Sequence, residues 1–157
     1  MKHLLFLFLL LLVFGASAQS ISTADMLQMA KCTDTTCVGK IAHNNGFSNG
    51  GKLANDTAEV FTWDRIKKTT EDFMLDMVIY QRSKQFTSVD FMTTNKTSAE
   101  ELKDNFLKMG YTFSHMIEDE SNHYYYQSPY GKSTFWYMVP NMIYDFIYHC
   151  TITVKNE

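Results

Sequence analysis

The chain has no strongly basic stretch. Its densest run is Arg65-Ile66-Lys67-Lys68, and 14 lysines and arginines stand against 17 aspartates and glutamates in 157 residues. Nucleic-acid binding needs a clustered basic surface, so that class is set aside. Nucleophile motifs are missing too. There is no Gly-x-Ser-x-Gly elbow, and Gly50-Gly51 lacks the flanking residues of a phosphate-binding loop. No His-Glu-x-x-His occurs. Cysteine is scarce, with only Cys32, Cys37 and Cys150. The Cys-x4-Cys spacing is not the redox Cys-x-x-Cys, and one pair plus a distant residue is a poor metal signature. Beyond residue 14 no apolar run reaches the roughly 20 residues that a membrane-crossing helix needs.

What is present begins with an export signal. Met1-Lys2-His3 is positively charged, residues 4–14 are all apolar, and Gly15-Ala16-Ser17-Ala18 ends in an Ala-x-Ala pattern. These are the three regions of a cleavable signal peptide, here residues 1–18. The expected product is a secreted or periplasmic domain over residues 19–157, without membrane insertion once the signal is removed. Loss of Lys2 leaves 13 basic against 17 acidic residues. A chain of this length can form one domain with its own core. In an oxidising compartment Cys32 and Cys37 are the first choice for a disulfide, with Cys150 left over; pairings of either with Cys150 stay open.

Local patterns predict a mixed α+β chain. Residues 23–31 read as a helix capped by Ser22 or Thr23, and Asp34 caps a second one that stops at Asn44-Asn45-Gly46. Residues 44–52, rich in Gly and Asn, read as a flexible loop. Strands are expected at 58–63, 73–82 and 84–93, with a polar connection over 64–72. Ser98 and Glu101 form a capping-box pattern ahead of the stripe Ala99, Leu102, Phe106 and Met109, which Gly110 ends. A polar loop at 118–122 then leads to strands at 123–128, 133–139 and 142–154. The expected core is Leu27, Val38, Ile41, Leu75, Met77, Ile79, Leu102, Phe106, Phe146 and Tyr148.

The order helix, strand, strand, strand occurs twice. At an offset of 64, Asp34 falls on Ser98, Val38 on Leu102, Ala42 on Phe106, Gly46 on Gly110 and Phe47 on Tyr111. Pseudo-repeats over 33–93 and 97–154 would give an antiparallel sheet of about six strands, as two α-β-β-β halves with helices packed on one face. The other arrangement is a single irregular domain, with a curved sheet wrapped around packed N-terminal helices.

Aromatic residues concentrate late: Tyr124, Tyr125 and Tyr126, then Tyr130, then Phe135, Trp136 and Tyr137. Strand alternation puts Tyr124 and Tyr126 on one face and Tyr125 on the other. It likewise separates Phe135 and Tyr137 from Trp136. Tyr125, Trp136 and Tyr130 are therefore the candidate binding surface, because rigid amphipathic rings suit recognition. The enzyme-like alternative is His115, Glu118, Glu120 and His123, which would serve a small secreted hydrolase or metal-dependent enzyme. These four read first as a polar connection, with no metal or cofactor expected. The functional expectation is a non-enzymatic binding or structural protein that meets a protein or glycan, or a second copy of itself through the open sheet face. Asn55-Asp56-Thr57 and Asn95-Lys96-Thr97 also match the N-glycosylation pattern.

Overall fold

Ser22 starts the first helix, α1 (Thr23–Lys31). Its hydroxyl accepts from the Asp25 amide at 3.1 Å, while the Asp25 carboxylate accepts from the Ser22 amide at 3.3 Å. Asp34 caps α2 (Thr35–Asn44) by accepting from the Cys37 amide at 2.8 Å. The third helix, α3 (Lys96–Lys108), starts earlier than the Ser98 pattern suggests. Asn95 is its cap and accepts from the Ser98 amide at 3.2 Å, so Ser98 lies inside the first turn. Asn caps as well as Ser, and the Thr93 hydroxyl fixes Asn95 by accepting its amide at 2.9 Å. Ala99, Leu102 and Phe106 are buried, but Met109 is exposed because it has passed the last turn and become the C-cap.

The computed structural model describes residues 21–53, 57–68, 73–118, 121–140 and 147–156. The leader, Asn55, Glu120, Asp145 and Phe146 lie outside them. Among the described residues there are eight strands: β1 (Ser48–Leu53), β2 (Glu59–Lys68), β3 (Phe73–Arg82), β4 (Phe86–Thr93), β5 (Thr112–Glu118), β6 (Asn122–Gln127), β7 (Ser133–Val139) and β8 (Tyr148–Lys155). They form one antiparallel sheet in the order β1-β2-β3-β4-β8-β7-β6-β5. The two strands beyond the expected six are the sheet edges. β1 lies in the Gly/Asn-rich segment read as a loop, and β5 lies where no strand was expected. An edge strand needs pairing on one side only, so it can form without an apolar alternation. β2 continues to Lys68 through residues expected to be a connection, because each of its ten residues has a partner on β3.

All three helices pack on one face of this sheet. Phe106 stacks on Phe135 at 4.1 Å between ring centroids, Phe47 meets Phe91 edge-on, and Tyr80 donates to the Cys32 carbonyl at 2.9 Å. Val38, Ile41, Leu102, Phe106 and Tyr148 are buried, and Leu27 is half-buried against the core. β3 is turned over relative to expectation. Val78, Tyr80 and Asp76 face the helices, while Leu75, Met77 and Ile79 lie half-exposed on the opposite face. Asp76 is tolerated inside because Arg65 on β2 pairs with it, through Nε at 3.2 Å and Nη2 at 2.5 Å. The Thr93 hydroxyl adds a bond to Asp76 at 2.6 Å, and Arg65 also donates to the Asn45 carbonyl at 2.8 Å.

Cys32 and Cys37 lie at disulfide distance, with Cα atoms 5.7 Å apart, and tie the end of α1 to the start of α2. Cys150 is free and fully buried, with its sulfur 3.6 Å from the Ala99 carbonyl oxygen. No helix among the described residues is long and apolar enough to cross a membrane.

Candidate functional site

The face of the sheet opposite the helices carries the unusual chemistry. Cross-strand register places His115 beside Tyr125, Tyr125 beside Trp136, Trp136 beside Thr151, and Thr151 beside Asp90. A second line of partners runs alongside: Ile117, His123, Met138, His149 and Met92. Strand alternation sends all of these side chains to one face. Tyr124, Tyr126, Phe135 and Tyr137 go to the helix face, where the last three are buried.

Rings in the two lines stack across four strands. His115 and Tyr125 are nearly parallel, 2° apart in plane and 4.5 Å between centroids. Tyr125 and Trp136 are stacked at 6.3 Å, and Trp136 and His149 at 5.8 Å and 13°. His123 leans on Trp136 at 5.6 Å. At 4.5 Å the His115 and Tyr125 rings overlap face to face, while the Tyr125–Trp136 and Trp136–His149 pairs, at 6.3 and 5.8 Å, are offset.

One end of the stack is fixed by a carboxylate. Asp90 on β4 receives His149 Nδ1 at 2.8 Å and the Thr151 hydroxyl at 2.8 Å. That contact holds the imidazole in plane against Trp136. Its acidic partner is Asp90, 59 residues away in the chain. The only local hint was a charged residue at an otherwise half-apolar strand position.

The remaining candidates separate. Tyr130 projects from the β6–β7 turn, 87% exposed, and no ring contact joins it to the stack among the described residues. His115 and His123 share the open face, but Glu118 pairs with Asn122 on the helix side of β5. No group of three or more His, Cys, Asp or Glu side chains able to hold a metal occurs among the described residues.

Burial shifts several groups near the core. It pushes the hydroxyls of Tyr80, Tyr111, Tyr126 and Tyr137 above the ordinary tyrosine value. It also pushes the Cys150 thiol up, with the Asp90 charge adding to the effect. A thiol held protonated in an apolar site is a poor nucleophile.

Fold and surface together describe an eight-stranded antiparallel sheet, helices on one side and a stacked aromatic and histidine row on the other. No family model, curated protein or solved structure matches the chain.

Proposed function

We propose that this is an exported, non-enzymatic binding protein that engages a protein partner with the open sheet face of its C-terminal half. The observation that carries the reading is the row His115, Tyr125, Trp136 and His149, stacked across β5 to β8 on the face away from the helices. Tyr and Trp anchors with polar tips are enriched at protein interfaces. A solvent-facing sheet needs no such row for its own stability, since the core lies on the other side. The export leader and the Cys32–Cys37 pair support an extracytoplasmic setting.

The test compares the wild type with Trp136→Ala and Tyr125→Ala in quantitative affinity capture from the exported proteome. Any retained species is then titrated as an isolated protein. We expect one partner whose binding each substitution weakens by about 2 kcal/mol or more, the scale of a hot-spot residue. Identical binding by wild type and both variants would sink the reading. Glycan-array binding lost in Trp136→Ala would move the ligand to a saccharide. A dimer in sedimentation that Trp136→Ala dissociates would make the partner a second copy of the chain.

A further inference from the structure

The two edges of the sheet are guarded differently. An edge strand exposes a row of backbone N–H and C=O groups on which another strand can pair. At one edge, β1 carries Gly50, Gly51 and Lys52. Gly51 is in left-handed backbone, with φ 110°, and a bulge lies between Asn49 and Gly51, so an incoming strand finds no regular row there. Lys52 adds a charge, paired with Glu59 at 3.9 Å. The other edge, β5, reads Thr-Phe-Ser-His-Met-Ile-Glu, with no proline, glycine or lysine. Its one irregularity is the bulge between Phe113 and His115, which leaves His115 to Glu118 in regular register with β6.

β5 is also uncovered. All seven of its residues are exposed, and among the described residues it has a neighbouring strand on one side only. The helices lie chiefly over β1, β2, β4 and β8. Three of the eight exposed large apolar side chains among the described residues stand on this one strand: Phe113 at 57%, Ile117 at 46% and Met116 at 44%. They occupy both faces. Phe113 and Met116 pair with Tyr126 and Tyr124 on the helix side, whereas Ile117 pairs with His123 on the open side. A β-prone edge with apolar groups on both faces and no guarding charge is suited to receive another strand.

We propose that β5 pairs antiparallel with β5 of a second copy of the chain, about a two-fold axis at Met116. Such pairing is isologous, and only a register centred on a residue keeps every side chain on its own face. Centred on Met116, the axis sets Met116 against the partner's Met116 on the helix side. It sets Ile117 against the partner's His115 on the open side, and the same pair recurs by symmetry. Glu118 falls beside the bulge, at the partner's Ser114, so the two Glu118 carboxylates stand at opposite ends of the paired run. No carboxylate faces a carboxylate, and each copy supplies the apolar group that the other lacks. A foreign strand would have to bring that match, whereas a second copy carries it in its own sequence. The axis stands perpendicular to the sheet, so the two eight-stranded sheets become one and both open faces stay on the same side. The pairing uses the edge and not the ring row, so it stands independently of the reading of that face.

The experiment is sedimentation velocity of the full exported chain across the micromolar range. A reversible monomer–dimer equilibrium is expected. Met116→Lys sets two like charges face to face across the axis and should raise the dimer dissociation constant about tenfold or more. Ile117→Lys should act in the same direction, and Trp136→Ala should leave the equilibrium unchanged. Residues directly opposite in antiparallel strands have Cβ atoms roughly 4.5–5.5 Å apart, near the reach of a disulfide. Met116→Cys should therefore give a covalent dimer on mild oxidation, while Tyr130→Cys, on an exposed turn, should not. Cys150 is buried and does not compete. Met116→Cys also keeps the test decisive if a lysine variant fails to fold. A chain that stays monomeric overturns the proposal, as does a dimer that Trp136→Ala dissociates and Met116→Lys does not. Equal cross-linking at the two cysteine positions overturns it too. A protein of the exported proteome that binds a monomeric wild type and is lost in Met116→Lys would give the edge to a foreign strand and end the self-pairing.

Discussion

The two halves of the sheet share a construction and differ in what they present. α2 with β1 to β4 and α3 with β5 to β8 are each a helix followed by four antiparallel strands, joined through β4 and β8. Their matching points recur at one offset. Gly46 and Gly110 both have positive φ, 79° and 89°, and both donate three residues back, to His43 and to Leu107. Phe47 and Tyr111 follow, both buried, and both donate five residues back, to Ala42 and to Phe106. These are the two bonds of a Schellman helix end. The first strand of each half then breaks register at the same place, between Asn49 and Gly51 and between Phe113 and His115. The open faces diverge: Leu75, Met77 and Ile79 in the first half, histidine, tyrosine and tryptophan in the second. The helix faces diverge as well, with a buried ion pair in the first half and stacked rings in the second. One scaffold thus carries two chemistries, and the proposed recognition surface belongs to one half.

The comparison is tested hardest in the second half's core. Phe106 is fully buried, stacks on Phe135 and meets Tyr111 edge-on. Phe106→Ala should cost about 3–5 kcal/mol in chemical denaturation. A loss below about 1 kcal/mol would mean that the rings do not hold this half together.

The first half should fail at its ion pair instead. Arg65→Met strands Asp76 without its cation in a buried site, and about 3 kcal/mol should be lost. Adding Asp76→Leu removes the stranded charge and should recover much of the loss. Equal destabilisation of the single and double variants would show that Arg65 acts through packing on Phe47, whose ring centroid its guanidinium overlies at 4.6 Å.

Much of this scaffold could be read from the chain. Caps at Ser22 and Asp34 and stops at Gly46 and Gly110 are local signals, because both ends of a helix depend on residues a few positions apart. Alternation also put Tyr125 and Trp136 on the face opposite Tyr124, Tyr126, Phe135 and Tyr137. The orientation of β3 could not be read, since both its faces are rich in apolar groups. The face with Asp76 looked like the outer one until Arg65 was placed beside it. β1 and β5 were missed for a different reason: an edge strand carries no obligatory burial pattern, and all seven residues of β5 are exposed. The Asp90–His149 contact is set by the pairing of β4 with β8, which no local spacing encodes.

A finer test uses the matched glycines. Both need left-handed backbone, so alanine at either should cost about 1 kcal/mol. A Cβ on Gly110 would also meet Pro129 at 3.2 Å, whereas at Gly46 the nearest atom is Arg65 Cδ at 3.8 Å. Gly110→Ala should therefore be the more damaging of the two in thermal melts. The reverse order would break the equivalence of the two helix ends.

The smallest effect is confined to alkaline pH. Burial raises Tyr111, Tyr126 and Tyr137 in the second half, against Tyr80 in the first. A tyrosine whose folded pKa lies above its unfolded value of about 10 contributes stability that is fully present below that value. The contribution is lost as pH rises through the folded pKa, because the unfolded chain then releases its proton first. Each such group can steepen the fall of stability by at most about 1.4 kcal/mol per pH unit. Tyr137, the most strongly raised by burial, is the one to replace, and Tyr137→Phe should leave stability at pH 7 nearly unchanged while flattening the slope above pH 10. Tyr80→Phe should flatten it too, but it also removes the bond to the Cys32 carbonyl and so lowers stability at every pH. Denaturation midpoints measured from pH 8 to pH 11 separate the two behaviours. An unaltered slope in Tyr137→Phe would place that hydroxyl in contact with solvent and remove the second half's larger share of the alkaline sensitivity.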